Sequence, residues 1–188
     1  MTDAVGRRFF LYNTVCEVVL CRWSGDADAL LNECEKLAQD VQRMLNRYDE
    51  GSELSQLNRL HTPGVPHPVS KALCAFLTRL NAFSRESDGA FDATLAPLMR
   101  LWNFTAPSPR APDEAQIRAA LTRTGYRRVK IDGERRTVTF LAPGMSLDAG
   151  GAGKGYAVEV VAGHLRARGV RSGSVNFGGN LCVIGLCE

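Results

Sequence analysis

The stretch Ser146-Leu-Asp-Ala-Gly-Gly-Ala-Gly-Lys-Gly-Tyr156 constrains this chain more than any other, because it reads as a turn that delivers the backbone into a helix. Gly150, Gly151, Gly153 and Gly155 surround Lys154, and Asp148 precedes them. Glycine lets backbone approach a ligand closely and take positive φ angles. The helix expected to follow aims its free N–H groups at whatever lies in the loop, and such groups favour an anion. Lys154 adds a full positive charge, so the segment reads as a cradle for a phosphorylated ligand. It is not a Walker A loop, since Gly155 follows Gly153-Lys154 where a serine or threonine is required. Nor does it match the dinucleotide fingerprint, because Gly151-x-Gly153 is followed directly by Lys154 and Gly155. A plain glycine-rich strand-to-helix turn is the alternative that the loop leaves open by itself.

A chain of 188 residues with 45% hydrophobic and 23% charged residues is expected to form one soluble domain with a sizeable core. A net charge of +3 without lysine or arginine runs argues against a nucleic-acid partner. No apolar run approaches a membrane span, and no secretory signal is visible at the N-terminus, which points to the cytoplasm unless a signal was trimmed away. Cys16, Cys21, Cys34, Cys74, Cys182 and Cys187 form no C-x-x-C pair and are expected as reduced thiols. Zinc-ligand spacing is lacking among Cys and His.

Periodicity supplies the elements. Val15–Cys21 reads as a strand. Ser24 or Asp26 can cap a helix whose stripe runs through Leu30, Leu31, Cys34, Leu37, Ala38, Val41, Met44, Leu45 and Tyr48. Asp49–Ser52 breaks it, and Ser52 can cap a short helix. After the proline-rich loop Thr62–Pro68, a second long helix starts beyond Ser70, with Leu73, Phe76, Leu77, Leu80 and Phe83 on one face. A short apolar segment ends at Trp102, and Thr105–Pro112 is a proline-rich connector. Pro112-Asp113 suits the first turn of a helix reaching about Thr124. Val129–Ile131 and Thr137–Leu141 pair across Asp132-Gly133, with Arg127-Arg128 and Arg135-Arg136 as solvated strand ends. The loop helix spans Lys154–Arg168, and Ser174–Phe177 and Leu181–Gly185 are strands joined at Gly178-Gly179. This mixture is α+β.

Four segments then fall in order. They are Ser52-Glu-Leu-Ser-Gln-Leu-Asn58, Gly89-Ala-Phe-Asp-Ala-Thr94 with Pro97-Leu98 and Leu101-Trp102, Gly150-Gly-Ala-Gly-Lys-Gly-Tyr-Ala-Val158, and Asn176-Phe-Gly-Gly179. Together they resemble the ApbE-type FAD:protein FMN transferases, also called flavin transferases, from about Thr14 to the last residue. The resemblance implies an ApbE-like fold related to the T-fold, with a mixed or antiparallel sheet packed with helices. It implies binding of FAD as substrate, cleavage of its pyrophosphate with Mg, and attachment of FMN to a Thr or Ser hydroxyl of an acceptor flavoprotein with release of AMP. Tyr12, Tyr48, Ala90, Phe91, Asp92, Asp148 and Lys154 match positions that contact FAD, and Gly151 matches the one whose carbonyl coordinates the metal. The acceptor hydroxyl comes from the partner protein. No catalytic nucleophile is therefore assigned here, and His61, His67 and His164 are expected as surface or helix-face residues.

Departures narrow these expectations. Glu159 and Asn180 stand where the family carries aspartate. Family members continue for roughly another hundred residues, a domain-scale length. That part resembles H-I-x-D-P-x-T-G and D-A-x-x-T, whose aspartate and threonine complete the metal site. Residues 1–188 are thus expected to be a single FAD-binding domain without the family's C-terminal part. An FAD pyrophosphatase, or a flavin-nucleotide-binding module without turnover, is the alternative to the transferase. The sequence leaves the oligomeric state open.

Overall fold

A computed structural model describes residues 4–103, 107–108 and 110–186. Of the expected proline-rich connector, residues 105, 106 and 109 lie outside the described residues, as does Cys187. The chain groups into two compact units, Met1–Met44 with Ala152–Glu188, and Leu45–Gly151.

The first unit is built on four antiparallel strands in the order β1-β2-β6-β7: β1 (Ala4–Leu11), β2 (Thr14–Cys21), β6 (Gly173–Phe177) and β7 (Asn180–Ile184). Strand β1 escaped the sequence reading because its Arg7 sits among inward positions. Arg7 carries its charge out to Asp28 (3.1 Å) and also hydrogen-bonds Asn32. One face of the sheet is closed by Cys16, Val18, Leu20, Val175 and Phe177, all buried. Helix α1 (Ala27–Leu45) follows β2, its backbone capped by Asp26, which accepts from Ala29 N–H at 2.9 Å. It buries Leu30, Leu31, Cys34, Ala38, Val41 and Leu45 of the stripe read from spacing, but it ends at Leu45, so Tyr48, expected on that stripe, lies beyond the helix and is exposed. Helix α6 (Gly153–Ala167) buries Ala157, Val158, Val161, Ala162 and Leu165. His164 on α6 pairs with Glu33 at 2.8 Å.

The turn between β6 and β7 explains its own glycines. Gly178 and Gly179 have φ of 58° and 92°, the positive values that a two-residue hairpin turn demands. A Cβ on Gly178 would lie 2.7 Å from the Thr14 side chain. Hairpin geometry therefore accounts for the double glycine. Cys16, Cys34 and Cys74 are buried free thiols, and Cys182 is free and half-buried. Cys21 corrects the expectation of reduced thiols throughout: it ends β2 and is disulfide-bonded.

The second unit holds the remaining helices and a three-stranded antiparallel sheet ordered β3-β5-β4. Its strands are β3 (His67–Pro68), β4 (Val129–Asp132) and β5 (Thr137–Phe140). The two-residue β3 lies in what read as a proline-rich loop. Helices α2 (Glu53–Leu60), α3 (Lys71–Glu86), α4 (Ala96–Trp102) and α5 (Glu114–Leu121) complete it. Ser52, Ser70 and Asp113 cap α2, α3 and α5 through their side chains, as small polar residues do at this position. Asp113 and Gln116 exchange a capping box, so α5 starts at Glu114, two residues beyond the expected Pro112, and stops at Leu121 rather than near Thr124. The core includes Leu54, Leu57, Leu73, Phe76, Leu77, Val138 and Phe140. The expected mixture of helices and antiparallel sheet is what forms.

Candidate functional site

In the second unit, Ser52–Asn58 is a scaffold for the segment entering the glycine loop. Ser52 caps α2, accepting from Ser55 N–H at 3.0 Å, and Leu54 and Leu57 point into the core. Glu53 reaches the start of α3, accepting from Ser70 N–H at 2.5 Å and from Ser70 Oγ at 2.7 Å. Asn58 pairs with Leu147 twice: its Nδ2 donates to the Leu147 carbonyl at 2.9 Å, and its Oδ1 accepts from Leu147 N–H at 2.7 Å. A side-chain amide thus reads the backbone of a buried residue 89 positions away.

One residue later, Asp148 is fixed on three sides. Its N–H donates to the Ala93 carbonyl at 2.8 Å, Oδ1 accepts from Gly150 N–H at 2.7 Å, and Oδ2 pairs with Arg47 Nε at 3.0 Å. Arg100 donates to Ser146 Oγ at 2.6 Å. Burial first, then the like charges of Arg47 and Arg123, lower the pKa of Arg100, and Asp148 opposes them. Arg47 is the guanidinium that pairs with Asp148, and the Asp148 charge also acts on Arg100.

The other predicted positions of this unit are built differently from one another. Tyr48 is 73% exposed, with the Arg47 guanidinium 4.5 Å from its ring centroid. Ala90 is exposed, following Gly89 at φ 82°. The Phe91 ring stands edge-on to Phe83, centroids 6.3 Å apart, and a Cβ placed on Gly151 would come within 3.4 Å of it. Asp92 has both oxygens engaged: Oδ1 accepts from Thr94 N–H and Oγ1, each at 2.7 Å, and Oδ2 from Tyr126 N–H at 2.9 Å. Thr94 Oγ1 accepts in turn from Gly125 N–H at 2.6 Å. Asp92 therefore acts as a clamp on residues 125–126. A nearby cleft lined by Leu77, Leu80, Ser84, Thr94 and Tyr126 has about 20 Å³ of room. That is one water's worth and too small for a ligand.

In the first unit, α6 begins at Gly153 without a side-chain cap and without an acid in its first turn. Helices α1, α2, α3 and α5 each carry a side-chain cap. The N–H groups at the start of α6 thus have no side-chain cap, and the positive end of the helix dipole lies there. Lys154 stands in that turn, and no carboxylate among the described residues forms an ion pair with it. Burial pushes the Cys16 thiol up, against the Leu11 carbonyl hydrogen bond and the positive charge of Lys154. Tyr12 is pinned. It has φ 53°, donates its hydroxyl to Ala38 O at 2.6 Å and its N–H to Gln42 Oε1 at 2.8 Å, and stacks on Phe177 at 6.1 Å. Burial is the main reason its phenol pKa is raised.

Arg47 and Asn58 matter most among the residues whose roles sequence reading missed. Asn58 lay within a quoted motif, but its partner is remote in sequence. Arg47 looked like a basic residue at a helix end. A magnesium site is not assembled by these residues alone. Among the described residues no group of three or more His, Cys, Asp or Glu could hold a metal ion. Gly151 supplies a single carbonyl, whereas magnesium takes near-octahedral oxygen coordination. No helix among the described residues is long and apolar enough to cross a membrane.

Comparison with known proteins places these features in a wider set. A sequence model of the ApbE family matches residues 12–188. The FAD:protein FMN transferase of Treponema pallidum is 30% identical over 187 residues, covering 96% of this chain and 51% of that protein. One from Klebsiella pneumoniae is 32% identical over 162 residues, covering 83% of this chain and 51% of its own length. The chain thus spans about half the length of the curated relatives it matches. Among solved structures, the flavin transferase ApbE from Vibrio cholerae superposes with a TM-score of 0.85 at 29% identity, over 100% of this chain and 61% of that one. The Pseudomonas stutzeri flavinyl transferase ApbE, in its apo form, gives 0.89 at 28% identity, over 98% and 59%.

Proposed function

This chain belongs to the ApbE family, and on that premise we propose that it takes part in flavin transfer, moving FMN from FAD to a Thr or Ser hydroxyl of an acceptor flavoprotein. The observation that carries the reading is the start of α6, where uncapped helix N–H groups and Lys154 offer positive charge to an anion. A diphosphate fits this chemistry.

In the reaction, the acceptor hydroxyl oxygen forms a bond to the FMN-side phosphorus. The bridging P–O bond breaks, AMP leaves, and the hydroxyl proton passes to solvent. Negative charge grows on the phosphoryl and bridging oxygens. Groups already aimed at those oxygens lower the barrier without reorganising. Lys154 and the first N–H groups of α6 would hold them. Within the second unit, the family resemblance makes Tyr48, Ala90 and Phe91 the candidate nucleotide contacts. Tyr12 and Asp92 are already engaged inside the protein, and we assign their contribution to the shape they give the neighbouring backbone. Magnesium belongs to the proposal through the family resemblance, and no step above runs through the ion.

Isothermal calorimetry with FAD tests the reading. The chain should bind FAD, and Lys154→Met should weaken binding about tenfold, the effect of removing one charge-assisted contact worth about 1.4 kcal/mol. Equal affinities for the two proteins would remove Lys154 from the site. Absence of binding by the unmodified chain would remove the reading itself.

A further inference from the structure

The structure assigns Arg47 a role as a positioning residue that holds Tyr48 and Asp148 ready for the flavin nucleotide. This inference rests on the reading of the chain as FAD-binding. Both partners match FAD-contacting positions, and one guanidinium touches both. Arg47 Nε pairs with Asp148 Oδ2 at 3.0 Å, and Arg47 Nη2 donates to Tyr48 Oη at 2.7 Å. The guanidinium carbon lies 4.5 Å from the Tyr48 ring centroid. The Arg47 side chain is 13% exposed and that of Asp148 is 17% exposed, whereas Tyr48 is 73% exposed. A shielded ion pair therefore anchors an aromatic ring that stands in solvent.

The chemistry explains why arginine serves here. Its planar fork donates in several fixed directions and stacks on aromatic faces, while lysine is a point charge on a flexible stem. Asp148 spends its other oxygen on Gly150 N–H at 2.7 Å, so Arg47 fixes the carboxylate that itself fixes the glycine loop. There is also a charge argument. A lone carboxylate at a nucleotide-contacting position repels an anionic ligand, and Arg47 neutralises that charge. Truncating Arg47 would leave Asp148 shielded from water, unpaired, and facing an anion.

The test is a set of FAD affinities measured by calorimetry on Arg47→Met, Arg47→Lys, Asp148→Asn, the Arg47→Met/Asp148→Asn double variant and Tyr48→Phe. Thermal melts check that each variant is folded. Arg47→Met should lose roughly tenfold in affinity, within the range of couplings seen for contacting charged residues. Arg47→Lys should recover part of that loss, because charge returns without the fork. The double variant should bind no worse than Arg47→Met alone, since removing the stranded carboxylate removes the repulsion. Tyr48→Phe alters only an exposed hydroxyl and should fold normally, losing about twofold to threefold in affinity with the loss of the Arg47 hydrogen bond. A purely structural role would lower melting temperatures and leave the affinities of folded variants unchanged. That result would overturn the inference, as would additive losses in the double variant. If Lys154→Met weakens FAD binding while Arg47→Met and Arg47→Lys bind like the unmodified chain, the inference falls and the FAD reading stands. If the unmodified chain binds no FAD, both fall.

Discussion

Replacing Asn58 by Ala tests the scaffold reasoning most sharply, because the structure supplies the magnitude. The side chain makes two hydrogen bonds to one residue, at 2.9 Å and 2.7 Å, and that residue, Leu147, is 3% exposed. Each bond contributes about 0.5–1.5 kcal/mol net, and a buried backbone group left without a partner costs about 1–3 kcal/mol. Water reaching one of the two Leu147 groups would reduce the sum, so Asn58→Ala should destabilise the chain by about 2–4 kcal/mol. Urea denaturation followed by circular dichroism measures this, with the midpoint moving and the slope preserved. Asn58→Asp is the informative companion. Its carboxylate can still accept from Leu147 N–H but faces the Leu147 carbonyl without a proton to donate. Its folded pKa should rise above the usual ~3.9, so its stability should be greatest below that pH and fall as pH rises through the folded value. A loss below about 0.5 kcal/mol for Asn58→Ala, the scale of an uninvolved surface position, would refute the claim that Asn58 holds this segment.

Further outcomes follow from the same structure. The phenol of Tyr12 is held above its usual 10.0 mainly by burial, so the stability it contributes is complete below that pH and is lost as pH rises beyond it. Tyr12→Phe should therefore flatten the alkaline limb of a stability–pH curve while costing about 1 kcal/mol at neutral pH through the lost bond to Ala38 O. An unchanged alkaline limb would contradict this. Gly178→Ala should cost about 2 kcal/mol or more, because it combines a left-handed φ of 58° with a contact 2.7 Å from Thr14. Gly179→Asn should cost much less, since no heavy atom lies within 4 Å of its Cβ position and asparagine tolerates positive φ. Equal melting temperatures for these two variants would undo the hairpin explanation of the double glycine.

Legibility followed the range of the interactions. Helix starts were readable because caps act over three residues: Ser52, Ser70 and Asp26 sit where a local pattern puts them, whereas Asp113, read as part of a first turn, is the cap before it. The β4–β5 hairpin was readable for the same reason. Strand β1 was not, because Arg7 breaks the apolar alternation and is satisfied by α1, more than 20 positions on. Strand β3 was hidden by its proline, Pro68, a residue that sheet edges accept and sequence patterns read as loop. The same division runs through the site. The glycine loop and the cation at the start of α6 announced themselves. The pairing of Asn58 with Leu147 and of Arg47 with Asp148 spans about half the chain, and composition or spacing carries no trace of it. Asp92, a motif position expected to meet a ligand, also bonds Thr94 and Tyr126, and the Tyr126 partner, 34 positions on, was equally hidden from the sequence.

Flavin transfer itself is read by intact-mass spectrometry of an acceptor flavoprotein incubated with this chain, FAD and magnesium, with AMP followed in parallel. The acceptor should gain the mass of one FMN at a Thr or Ser, in step with AMP release, and an acceptor with that residue changed to Val should gain nothing. An acceptor of unchanged mass, whether FAD stays intact or is split to free FMN and AMP, would contradict transfer by this chain.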